Sequence, residues 1–227
     1  MRGIALLVFW VVATAGCVTE LLQETQDTVR NHTCALLDPS TAVTVVVYDG
    51  DDLDGPVAAA LHIVENNTQR PALTASHERL DPATDMAAWS ASVERLGDGS
   101  LTLHVVVLQG DAESPLVQNL APGVIILHRA AIDAAATATS RGADDVTRIA
   151  LLHGLGHALG VVNQGTPFNG TSTVGREGPM HHEPSPRSIM HAGWHNAGTV
   201  PRTNATYDAF SVAIQEDWQG AIRSVCP

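Results

Sequence analysis

Apolar positions fall along the chain in a few tight runs, separated by polar stretches rich in Pro, Gly and Asp. Val43 to Tyr48 (VTVVVY) is β-branched and aromatic and is closed by Asp49-Gly50-Asp51-Asp52, which predicts a buried strand followed by a turn. Pro56 to Glu65 predicts a helix. After a Pro/Asp-rich stretch, Leu101 to Leu108 (LTLHVVVL) and Val124 to His128 (VIILH) predict two more strands. A long helix is expected from about Asp144 to Gly160, and no repeat period is present. The order strand, helix, strands, long helix predicts a mixed α/β (α+β) domain built on one sheet.

The N-terminal apolar run, Ile4 to Ala13, follows Arg2 and ends in Thr14-Ala15-Gly16-Cys17. A membrane-spanning helix needs roughly 20 apolar residues, so this shorter run reads as an export signal. Its small residues before a cysteine suit a lipobox, in which Cys17 becomes the lipid-bearing first residue. The expected organisation is a signal peptide over 1–16, a lipid-anchored tether over 17–40 and a folded domain over 41–227. That places the protein outside the cell, on the outer face of the membrane, or secreted if the signal is an ordinary one.

Setting Cys17 aside leaves Cys34 and Cys226, which in an oxidising exterior form either a disulfide or two free thiols. A bridge between them would restrict the unfolded chain by about 4–5 kcal/mol on the loop-entropy model. Sequons at Asn31, Asn66, Asn169 and Asn204 fit an exported chain.

With 227 residues, 44% apolar and 16% charged, the chain is long enough for one good core and too apolar for disorder. Its net charge of −12 opposes polyanions, so nucleic acid is excluded as a partner, and the membrane is reached through the lipid. The domain is read as a monomer.

The chemistry is concentrated in Ile149 to Asn163 (IALLHGLGHALGVVN). His153 and His157 stand at i and i+4, which on a helix places both imidazoles on one face where they can share a Zn²⁺. A second HxxxH, His191/His195, shows that the spacing alone is weak. Gly156 and Gly160 sharpen it, since a mid-helix glycine costs about 1 kcal/mol against alanine and needs a reason. Gly160 has one if the helix stops there in a left-handed cap. Ser188-Ile189-Met190 follows in a Pro/Gly-rich region.

HGLGHALGVVN with a later SIM resembles the metzincin zinc peptidases, whose signature is HExxHxxGxxH/D followed by a methionine turn. It is closest to predicted archaeal zinc proteases of the HELGHxLGLVNxGTP kind, which Val161 to Pro167 (VVNQGTP) also follows. The resemblance implies a metzincin-like single domain, a mixed sheet over a long zinc-binding helix, acting on a peptide or protein substrate. It implies that His153 and His157 bind Zn²⁺, that Gly160 permits the turn, and that Met190 forms the floor beneath the metal. It also implies that Val124 to Leu127 is the edge strand along which substrate runs.

Two departures from the signature matter. The third-ligand position falls on Asn163, whose amide oxygen is a poor zinc ligand. The archaeal relatives carry a His-Glu after this loop, which moves the third ligand to His182, with His181 and Glu183 as alternatives. The general-base position falls on Gly154. On a helix, residue 154 lies about 60° around from His157, where a carboxylate could take a proton from water. Its loss leaves three explanations: a pseudoenzyme that binds peptides or proteins without turnover, a base from elsewhere (Glu183, or Glu177), or a single-base change at that codon.

The remaining candidates are read as structural. His104 and His128 sit in or at the end of strands, and His32, His62, His77 and His195 are assigned to surface or structural roles. The clusters Asp49/Asp51/Asp52/Asp54 and Asp144/Asp145 read as a solvated turn and a helix N-terminus, since neither has calcium-loop spacing.

Overall fold

The computed structural model describes residues 41–50, 52–68, 73–93, 100–121, 123–159, 176–177, 180–181 and 185–210. Cys17, Cys34 and Cys226, with the expected signal, tether and disulfide, lie outside the described residues, as do Gly160, Asn163, His182 and Glu183.

The expected strands form β1 (Ala42–Tyr48), β3 (Ser100–Leu108) and β5 (Val124–His128). Two further strands join them, β2 (Thr74–Glu78) and β4 (Val117–Ala121), in the order β2-β1-β3-β5-β4. The first four are mutually parallel and β4 runs antiparallel to β5. The edge of the sheet beyond β5 is therefore β4. Val124 to Leu127 lies one strand inside it, buried, as continuous apolar runs in central strands are.

Helices α1 (Asp54–Thr68), α3 (Arg129–Thr139) and α4 (Ala143–Ala158) are joined by a short α2 (Met86–Ser92), which Asp85 caps through Ala87 and Ala88 N–H. α1 packs on α4 beneath the sheet. Val45, Val47, Leu103, Val105, Ile125 and Leu127 point down into the main core with Ile149, Leu152 and Leu155 of α4. The alternate strand positions Val46, Val106 and Ile126 point up, into a smaller cluster that includes Tyr48 and is flanked by Met86 and Trp89 of α2. His104 belongs to this upper layer, where its Nδ1 lies 3.2 Å from the Tyr48 hydroxyl. His128 closes β5 at the N-cap of α3, and both ring nitrogens are buried with no hydrogen-bond partner among the described residues. Burial pushes its pKa down, against the charge of Asp111.

Candidate metal centre

α4 is the element that makes the site. Its first turn carries Asp144 and Asp145, as expected of a helix N-terminus. Every residue from Ile149 to Ala158 is buried, so the two histidines enter the core on the same helix that fills it. The His157 Nε2 stands 3.2 Å from that of His153.

The chain returns to this helix through Ser188-Ile189-Met190, and each residue has a task. The Ser188 hydroxyl accepts from the Met190 N–H at 3.0 Å and tightens the turn. The Ile189 carbonyl accepts from His153 Nδ1–H at 2.7 Å. That bond fixes the tautomer so that Nε2, facing the other two imidazoles, presents its lone pair, the usual outer-sphere arrangement for metal-binding histidine. Met190 is fully buried against Gly156, where an added Cβ would run into its Sδ and come within 3.0 Å of its Cε. Gly156 is thus the close-approach site for the methionine, which accounts for the helix-weakening residue.

The third histidine comes from an unexpected place. A 3₁₀ turn at Ala192–His195 delivers His195, whose Nε2 lies 3.4 Å from that of His153. Its carbonyl accepts from Leu116 N–H at 2.6 Å, and Asn196 bridges to Pro115, tying the turn to the start of β4. The neighbouring Trp194 is fully buried and fixes the turn from below. One ligand atom from each of His153, His157 and His195 falls within 4.8 Å of the others. Tetrahedral Zn–N bonds of about 2.0–2.1 Å require N···N separations of roughly 3.3–3.4 Å. The two separations from His153, 3.2 and 3.4 Å, match that requirement, and the set as a whole spans 4.8 Å, so three converging imidazoles suit Zn²⁺ with His157 and His195 standing wider apart than a bound ion would hold them.

This corrects the assignment of His195 to a surface or structural role. The missed signal was the second HxxxH, His191/His195, directly after Met190. His191 itself is structural, its Nδ1 accepting from Gly193 N–H at 3.0 Å. His182, the expected third ligand, lies outside the described residues with Asn163 and Glu183. His181 falls in the two-residue strand β7 (Met180–His181), paired with β6 (Arg176–Glu177).

The general-base position is closed from above. A Cβ on Gly154 would lie 2.8 Å from Val117 Cγ2 on β4 and 2.8 Å from Ile125 Cγ2 on β5. Asn119, two residues along β4, donates its Nδ2–H to the Gly154 carbonyl at 3.1 Å. The edge of the sheet therefore rests directly on the helix where a glutamate side chain would emerge.

The fold matches archaemetzincin from Methanopyrus kandleri over 82% of this chain and 97% of that chain, with a TM-score of 0.51 and 12% sequence identity. At that identity the likeness is one of fold. No family model and no curated protein matches the sequence. Among the described residues, no helix is long and apolar enough to cross a membrane.

Proposed function

We propose that this protein is an exported, metallopeptidase-like zinc domain that engages polypeptide along β4. The observation that carries this reading is the convergence of three imidazole nitrogens, two buried on α4 and one half-buried on the turn after Met190. When bound, Zn²⁺ supplies polarisation of a peptide carbonyl and activation of water. The chain's own residues do the rest. His153, His157 and His195 hold the ion, and the Ile189 carbonyl keeps His153 in register. As the last strand of the sheet, β4 offers an extended peptide a strand to pair with, beside the Leu116–His195 tie. With position 154 glycine, we assign the proton-accepting role to Glu183, the carboxylate beside His182.

A second reading, a silent zinc domain that binds peptides without cleaving them, is favoured by one observation: Val117 and Ile125 fill the place of the absent glutamate. Zinc stoichiometry and casein cleavage with and without chelator separate the two. One zinc per chain with chelator-sensitive cleavage, lost in Glu183→Gln, is expected of the peptidase. One zinc with peptide affinity and no cleavage establishes the silent domain, and no zinc removes both. The cell-surface location is our reading of residues 1–17, and Cys17→Ser is expected to release the protein from the membrane fraction.

A further inference from the structure

We propose that Asn204 is a glycan acceptor, and that the helical sequon at Asn66 is not. This rests on the export reading, since N-linked transfer occurs outside the cytoplasm. Both triplets have the required Asn-x-Thr order, so the sequence alone treats them alike. The fold separates them.

Asn66 sits in the last turn of α1, with its Nδ2 engaged at 3.0 Å by His62 Nε2. The hydroxyl of its partner Thr68 donates to the Val64 carbonyl at 2.7 Å, and Thr68 is only 3% exposed. A transferase that must read the hydroxyl together with the amide finds one of them buried and both committed to the helix.

Asn204 lies in an irregular stretch, and both Asn204 and Thr206 are exposed. Two arginines hold this stretch by its backbone from the inner side. Arg141 Nη2 donates to the Thr203 and Ala205 carbonyls at 2.9 and 2.8 Å, and Arg148 donates to those of Thr206 and Tyr207 at 2.9 and 3.0 Å. Anchored in this way, the segment displays the Asn204 and Thr206 side chains outward, the surface-loop setting that glycan attachment needs. The anchoring arginines flank the N-terminal end of α4, whereas His153 and His157 sit in its C-terminal half, so a glycan here leaves the metal centre open.

In the transfer, the Asn204 amide nitrogen bonds to the anomeric carbon of a lipid-phosphate-linked sugar. The carbon–oxygen bond to the phosphate breaks, its electron pair leaves with the phosphate, and the amide gives one proton to a base of the transferase.

The test is peptide mass spectrometry on the protein isolated from membranes of its own cells. Trypsin cuts after Arg202 and Arg223, giving the fragment 203–223, which holds Asn204 as its single sequon. A glycan mass on that fragment, absent in Asn204→Gln and retained in Asn66→Gln, is expected, with zinc content equal in all three proteins. Membrane-bound protein with an unmodified Asn204, or with glycan on Asn66 instead, overturns the proposal while export stands. Unmodified protein confined to the cell interior overturns both.

Discussion

At the scale of single residues, the centre depends on groups that lie far apart in the sequence. His195→Ala removes one of three converging nitrogens, so zinc affinity is expected to fall by more than the roughly 10–100-fold typical of losing an outer-sphere partner. His191→Ala, four residues earlier, is expected to leave zinc stoichiometry unchanged, since among the described residues the His191 ring caps the Gly193 N–H. Titration with a competing chromogenic chelator measures both; equal effects would remove His195 from the ligand set. Gly154 presents the opposite case, where a side chain is excluded. Gly154→Glu gains roughly 0.5 kcal/mol in helix propensity but overpacks Val117 and Ile125 at a cost of about 1–3 kcal/mol. The expected outcome is a net loss of stability and no gain in casein cleavage. A higher Tm together with new cleavage would show that the edge strand yields to a side chain there.

At the scale of elements, how much could be read from sequence followed burial. β1, β3 and β5 are central strands, buried on both faces, and their apolar runs are continuous enough to identify them. β2 is exposed at every position and carries Thr-Ala-Ser-His-Glu, so no apolar pattern marks it. α3 is written mostly in alanine and starts directly after His128 without a Pro, Gly or capping side chain, which hides its boundary. The start of α4 is legible in Asp144 and Asp145, and it also carries a pH dependence. Burial would raise the Asp145 pKa, but hydrogen bonds from Arg148 and Arg141, both at 2.6 Å, together with their charges outweigh it and hold it below its ordinary value. The carboxylate then contributes stability above the unfolded-state value of about 3.9, lost as pH falls through the folded value. Asp145→Asn is expected to lower stability at neutral pH and to narrow its gap from the parent protein in acid, checked by urea unfolding across pH. A gap independent of pH would mean the arginines act through packing alone.

At the scale of the whole molecule, the metal centre and the core share α4, so binding and folding are coupled. A ligand at 100 times its Kd stabilises by about 2.7 kcal/mol. For a domain of this size that corresponds to a Tm rise of roughly 5–10 °C on adding zinc to the metal-free protein. Calorimetry checks it, and His195→Ala is expected to abolish the rise. An unchanged Tm in the parent protein would mean that the three histidines do not act as one site.

The α/β class, the long helix and the pairing of His153 with His157 are legible in the chain alone, because those features are written in local periods that the backbone reads residue by residue. The resemblance singled out Met190, which packs against Gly156 on that helix. Tertiary structure alone decided the third histidine, the edge strand and the meaning of the glycines. His195 reaches the site only because the 3₁₀ turn at 192–195 is tied to the start of β4. Gly154 and Gly156 are required only because β4–β5 and Met190 approach the same helix from different sides. Such contacts depend on sequence separations of about 30 residues or more, which no local pattern encodes.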